Sequence, residues 1–192
     1  MNTVAGRTTG GGTRNRTRRA ILDAAAAVLA KNPAASLADV AAAADVGRTT
    51  VHRYFAERSD LLRALGADAL EKATAATGRA RTEEGAPLAA LERLCQELFE
   101  LGDVLSLVFD ETLVAAWSWE GWEQDTEADR ALIRLVERGH AEGAFDPGLD
   151  PDWISQVLWS LLYVAWQRSR AGDTKHEALS LCLRTLRKAV AP

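Results

Sequence analysis

A chain of 192 residues, 47 % hydrophobic and 26 % charged, is long enough for one or two domains with a substantial core and has an ordinary soluble balance. No apolar run approaches the roughly 18–20 residues of a membrane span; the longest, residues 157–166, contains Ser160. The net charge of −4 conceals a split: residues 1–63 hold ten Lys/Arg against five Asp/Glu, and residues 64–192 hold thirteen against twenty-two. A basic head on an acidic body implies a polyanion partner at one end only. The N-terminus lacks an apolar h-region, so no secretory signal is expected and cytoplasmic residence is the default.

Met1–Thr13 is rich in Gly and Thr without apolar periodicity and reads as a disordered arm. Arg14, Arg16, Arg18 and Arg19 follow and run into a first helix, whose Ile21, Ala24, Ala25, Val28 and Leu29 recur at helical spacing. Asn32-Pro33 ends it. Ser36 then reads as the N-cap of a second helix, with Asp39 completing a capping box and Leu37, Val40, Ala41 and Ala44 as the buried face. Asp45 takes the turn, Val46 plugs it, and Gly47 opens a third helix as a permissive cap. Val51 and Phe55 face inward together, which leaves Arg48, Thr49, His52 and Arg53 outward.

Two short helices joined by such a turn have the dimensions of a helix-turn-helix, whose second helix enters the major groove of DNA. Arg48 and Arg53 suit guanine edges or phosphate, and Thr49 and Thr50 suit phosphate or a thymine methyl. Arg58 sits in the first turn of the next helix, where its charge adds to unpaired backbone N–H groups as a phosphate clamp. The Arg-rich arm is placed to reach flanking backbone or minor groove. A solvated polar face is the bland alternative, adequate for any one of these residues but poor for the whole set on one face.

A fourth helix is expected over about 59–77, carried by Leu61, Leu62, Leu65 and Ala69. Past Gly85-Ala86-Pro87, helices are expected near 87–101, 103–117, 126–142, 151–170 and 174–190, with Asp150-Pro151 a start signal and Gly172-Asp173 a stop and restart. The 151–170 helix is apolar nearly all round, so a partner subunit is its simplest cover. With the stripe Leu179, Cys182, Leu183, Leu186 and Val190 of the last helix, it points to a homodimer through residues about 151–190. A wholly intramolecular core is the competing reading.

All six tryptophans lie in the second half. Trp117, Trp122, Trp159, Tyr163 and Trp166 form a candidate effector pocket for an apolar or planar cationic molecule, with Asp110, Glu111, Glu120 and Glu123 nearby to favour a cation. Core packing is the plainer account of any single one. Cys95 and Cys182 sit among apolar neighbours and read as buried free thiols, with a redox pair or metal site the minor option. No Cys or His pair has zinc-ligand spacing, His140 and His176 join no recognisable catalytic arrangement, and neither cofactor, metal nor catalysis is expected.

Residues 17–65 resemble the DNA-binding domain of the tetracycline-repressor (TetR) family of bacterial transcriptional regulators. The likeness runs through Ile21-Leu22-Asp23-Ala24-Ala25, Ser36-Leu37-Ala38-Asp39-Val40-Ala41, Val46-Gly47-Arg48-Thr49-Thr50, Tyr54-Phe55, and Arg58 with Leu61-Leu62. It implies a homodimer reading an inverted repeat in double-stranded DNA, with a ligand-binding C-terminal domain. The chain departs from the family pattern at Asp45 and Thr49, where Gly is usual, at Gly47 and Glu57, where Ser is common, and at His52, where Tyr typically meets phosphate. The DNA-contacting set is then Arg48, Thr49, Thr50, His52, Arg53, Tyr54 and Arg58, and His52 makes binding pH-dependent.

The expected architecture is all-α, with about nine helices. An arm over 1–13 and a three-helix helix-turn-helix domain over 14–63 precede a helical effector and dimerisation domain over 64–192. The expected function is a sequence-specific regulator, a homodimeric repressor whose DNA affinity is set by a small-molecule effector. The alternatives are a helical adaptor that meets an acidic protein, or a DNA-binding regulator without a small-molecule effector.

Overall fold

In the computed structural model, residues 9–110, Leu113 and residues 126–192 are described. Helix α1 spans Thr9–Leu29 and buries Ile21, Leu22, Ala25 and Leu29 completely or nearly so. It starts within the stretch expected to be an arm. Arg16 donates to the Thr13 hydroxyl at 3.2 Å and the Thr17 hydroxyl donates to the Thr13 carbonyl at 3.0 Å; extending an existing helix backward costs far less than nucleating one. Past Ala30 the chain turns, and Asn32 Oδ1 accepts the Ala34 N–H at 3.2 Å, which sets up Pro33 as the break.

Helices α2 (Leu37–Ala43), α3 (Arg48–Tyr54) and α4 (Arg58–Ala80) follow. Helix α4 ends on Arg81 in the left-handed conformation, φ 48°. Arg93 supplies the donors this end needs, reaching the carbonyls of Ala80, Arg81 and Glu84 at 2.9, 3.0 and 2.6 Å. From the other side Arg138 donates to Gly85 O at 2.7 Å and Thr82 O at 2.8 Å.

Helix α5 (Pro87–Phe99) opens with Pro at its first position and buries Leu91, Leu94, Cys95 and Leu98. The single helix expected over 103–117 is broken. Helix α6 (Gly102–Ser106) gives way to one 3-10 turn, Leu107–Phe109, and Asp110 is extended. The Ser106 hydroxyl donates back to Asp103 O at 3.0 Å in this last turn.

Helices α7 (Glu127–Ala141), α8 (Pro151–Ala171) and α9 (Lys175–Ala189) complete the described chain. Thr126, Asp150 and Thr174 cap them, each side-chain oxygen accepting a backbone N–H three residues on. Between α7 and α8, Gly139 lets the fully buried Phe145 ring approach. A Cβ at 139 would stand 2.0 Å from Phe145 Cδ2.

Among the described residues there are nine α-helices and no strand, and no helix is long and apolar enough to cross a membrane. The division expected at residues 63–64 falls inside α4, an unbroken helix. One buried cluster runs without interruption from Ile21 and Leu29 through Leu65 and Ala76 to Leu162 and Leu186. Head and body therefore share a core, because α4 packs against α1 at one side and α5 at another.

Candidate nucleic-acid interface and ligand cavity

The turn that presents α3 is built as its residues dictate. Ser36 Oγ accepts Asp39 N–H at 3.3 Å, and Asp39 Oδ2 accepts both the Ser36 N–H and hydroxyl at 2.8 Å. The backbone bond from Ser36, then its hydroxyl, hold the Asp39 carboxyl below its ordinary value, with the charge of Arg48 assisting against slight burial. Asp45 occupies the left-handed region, φ 52°. Val46 N–H closes the turn on Ala41 O at 3.1 Å.

On α3, Val51 and Phe55 are buried, Arg48, Thr49, His52 and Arg53 are exposed, and Thr50 and Tyr54 are half-buried. The expected outward face is thus present as one surface. Arg53 lies over the Tyr54 ring, 5.6 Å from its centroid, and Arg18 of α1 lies over Phe55 at 5.7 Å. The first turns of α1 stand beside α3: Thr13, Arg14, Thr17, Arg53 and Tyr54 surround a recess of roughly 560 Å³. His52 Nδ1 is 3.3 Å from Ala56 O. With a carbonyl there, Nδ1 carries the hydrogen, so Nε2 donates outward only from a protonated ring.

Two basic residues are placed differently from the expectation. Arg58 turns its guanidinium back on the α1–α2 connection, donating from Nε to Ala35 O at 3.2 Å and from Nη2 to Pro33 O. The start of α4 carries Glu57 and Asp60, with Asp60 Oδ2 accepting Glu57 N–H at 3.1 Å. Arg19 faces α4 and pairs with Asp68 Oδ1 at 2.5 Å; Lys72 Nζ lies 2.8 Å from Asp68 Oδ2 and 2.9 Å from Asp23. Burial disfavours the Lys72 charge, but the bonds to Asp68 and Asp23 outweigh it and raise its pKa above the ordinary lysine value.

A cavity of roughly 620 Å³ opens where the end of α1 meets the body. Leu29, Lys31 and Pro33 form one wall, and Phe109, Asp110 and Tyr163 form part of the other. Phe109 and Tyr163 meet with centroids 4.6 Å apart and ring planes tilted by 38°. The Tyr163 hydroxyl accepts from Gln167 at 2.9 Å, and Arg170 is held by Ser106 at 2.5 Å and Asp103 at 3.2 Å.

Of the aromatic residues expected here, Tyr163 lines the cavity. Trp159 and Trp166 stand behind it, 6.4 and 6.3 Å from Phe109. Trp166 belongs to the core: it is buried, its indole N–H donates to Phe99 O at 2.9 Å, and it packs against Gly102. Trp117 and Trp122, with Glu111, Glu120 and Glu123, lie outside the described residues. Phe109 was missed by sequence reasoning because a continuous helix was expected there; the only signal was its four-residue spacing from Leu105 and Leu113.

Helix α8 has a second face. Trp153 and Val164 are 53 % and 54 % exposed, with Val157 and Leu161 half-buried between them. These four share one side of the helix, and Trp159 and Tyr163 lie on the other.

Comparison with known proteins accords with this geometry. Residues 21–65 match the model of the bacterial regulatory proteins of the tetR family. The HTH-type transcriptional repressor LfrR of Mycolicibacterium smegmatis is 37 % identical over 179 residues, 93 % of each chain. The crystal structure of LfrR in complex with proflavine superposes with a TM-score of 0.68 at 35 % identity, covering 92 % of this chain and 98 % of that one. The ketosteroid regulator KstR2 of Mycobacterium tuberculosis shares the fold, with a TM-score of 0.72 at 20 % identity over 99 % of this chain and 100 % of that one. The 37 % identity with LfrR over 93 % of each chain, together with the family match at residues 21–65 and the exposed basic face of α3, leads to one conclusion: the chain belongs to the tetR family of bacterial regulatory proteins, DNA-binding regulators of transcription.

Proposed function

We propose that the protein is a homodimeric repressor that grips an inverted-repeat operator through α3 and lets go when a planar aromatic cation enters the cavity between α1 and the body. Arg48, Thr49, Thr50, His52, Arg53 and Tyr54 form the DNA-contacting surface, and the partly exposed stripe Trp153–Val157–Leu161–Val164 of α8, with α9, forms the dimer face. The observation that carries the reading is the cavity's double wall. Pro33 of the head and Tyr163 of the body line the same space.

A ligand that presses on Pro33 moves the connection whose carbonyls Arg58 holds, and Arg58 stands four residues beyond the end of α3. Phe109 and Tyr163 offer flat apolar surface, and Asp110 offers a carboxylate. That chemistry suits a flat cation of the kind named in the LfrR complex. The far side of α8 carries the dimer stripe, so a shift of that helix reaches both sites. Release then follows from unequal affinity of the ligand for two head arrangements, only one of which matches successive major grooves about 34–36 Å apart.

The test is fluorescence anisotropy with an inverted repeat selected in vitro, with and without proflavine. The selected duplex should bind at least ~10³-fold more tightly than random duplex, and proflavine should weaken it ~10-fold or more. Equal binding to all duplexes would remove the operator reading and favour an adaptor. Proflavine that binds without changing operator affinity would remove the effector reading alone.

A further inference from the structure

Cys95 on α5 and Cys182 on α9 are 87 positions apart in sequence, yet their Sγ atoms are 3.6 Å apart. They are the chain's two cysteines, so within one chain neither has another partner. Both are buried, Cys95 entirely and Cys182 with 4 % of its surface exposed. A disulfide has its sulfurs about 2.05 Å apart. Closing the remaining ~1.5 Å takes side-chain torsion and a slight approach of two helices already in contact.

We propose that Cys95 and Cys182 are a dithiol redox site, which a peroxide-class oxidant converts to an intramolecular disulfide that pins α5 to α9. Access assigns the roles: Cys182 keeps 4 % of its surface exposed whereas Cys95 is fully enclosed, so an oxidant meets Cys182 first. The thiol–thiol bond lowers the pKa of Cys182, and the same bond, then burial, raises that of Cys95. Cys182 is the nucleophile. Its thiolate attacks one peroxide oxygen, the O–O bond breaks, and the departing hydroxide takes a proton to leave as water, with Cys182 now a sulfenic acid. The sulfur of Cys95 then attacks that of Cys182. The S–O bond breaks, the hydroxyl leaves as a second water with the Cys95 proton, and the S–S bond forms. Two thiols and one peroxide become one disulfide and two waters.

The new bond closes a loop that takes in α6, α7 and α8, and a loop of that length restricts the unfolded chain strongly. Because α5 packs along α4 and α9 packs on α8, the oxidised body is held in one arrangement of those helices.

The experiment uses the full chain, reduced, freed of reductant without oxygen, and given stoichiometric hydrogen peroxide. Both thiols should disappear together, with a mass lower by two hydrogens, a Cys95–Cys182 cross-linked peptide after proteolysis, and a Tm higher by roughly 5–10 °C. Dithiothreitol should reverse all three. In Cys95→Ser the reaction should stop at a Cys182 sulfenic acid that dimedone traps. Thiols that survive the treatment intact, a sulfinic acid accumulating in the unsubstituted protein, or cross-links only between chains would each overturn the proposal.

Discussion

Arg19 of α1 reaches across 49 positions of sequence to pair with Asp68 of α4 at 2.5 Å, and Asp68 is almost wholly buried where the two helices meet. Lys72 closes the group by bridging Asp68 to Asp23, so α4 is tied to α1 at two levels. A buried carboxylate between two cations is costly to disturb from one side, since the cations lose their counter-charge. Half of the Arg19 side chain is in solvent, so water offsets part of that loss. Asp68→Asn is expected to lower stability by about 2 kcal/mol, read as a shift of the urea midpoint at unchanged slope.

Which parts of this molecule could be read from the chain follows from the range of the interactions involved. Ser36 and Asp39 are three residues apart, and their reciprocal cap is legible as a pattern. So are the left-handed Asp45 and the inward pair Val51 and Phe55, since each obeys a local geometric rule. The bonds of Arg58 to the carbonyls of Pro33 and Ala35 have no sequence signature, because backbone acceptors bear no side-chain pattern. Arg19 was grouped with the arm for the same reason: Asp68 is distant in sequence. Cys95 and Cys182 were correctly read as buried thiols, but only the packing of α9 on α5 makes them neighbours. Phe109 joins Tyr163 at the cavity because the chain leaves α6 for a 3-10 turn at residues 107–109, and no sequence pattern marks that change.

Arg53 and Arg58 should separate cleanly by assay. Arg53 is exposed and lies over the Tyr54 ring, so Arg53→Ala should leave the Tm nearly unchanged while operator discrimination falls by about 1–3 kcal/mol. Arg58→Ala orphans two carbonyls of the α1–α2 connection and should cost about 1–3 kcal/mol of stability. Its effect on DNA should be uniform across sequences, with an unchanged salt slope. A reduced salt slope in Arg58→Ala would restore the phosphate-clamp role.

The capping box sets an acid limit on the DNA-binding head. Asp39 titrates below its ordinary value of 3.8 in the folded chain because the Ser36 N–H and hydroxyl bind its charged form. A depressed folded-state pKa contributes stability that is complete above the unfolded value and is lost as pH falls through the folded one. Between neutral pH and about 5, α2 should therefore be unaffected, and below about 4 its amide protection should decline. Hydrogen exchange along residues 36–44 checks this, and Asp39→Asn should remove the pH dependence while lowering protection at every pH.

The close approach at Gly139 gives a prediction about the body alone. A methyl group there meets the Phe145 ring well inside contact distance, and that ring is fully enclosed. Gly139 N–H and C=O lie in α7, so alanine's helix propensity would otherwise favour the change by about 1 kcal/mol. Overpacking should win, and Gly139→Ala should be destabilising by about 1–3 kcal/mol in urea unfolding. Pairing it with Phe145→Leu, which clears the ring edge, should recover part of the loss relative to the sum of the two single changes.

Val164 tests the dimer face without disturbing the fold. Its side chain is 54 % exposed on the same side of α8 as Trp153, so a carboxylate there meets water in the monomer. Across a two-fold interface the same carboxylate would face apolar surface and, near the axis, its own copy. Val164→Glu is expected to weaken self-association by at least ~100-fold while the helical circular dichroism stays unchanged. Sedimentation equilibrium at micromolar protein should then report monomer. Operator affinity should fall with it, because one head contacts only half of an inverted repeat. If Val164→Glu remains dimeric with full operator affinity, the subunits meet through some other surface than this stripe of α8.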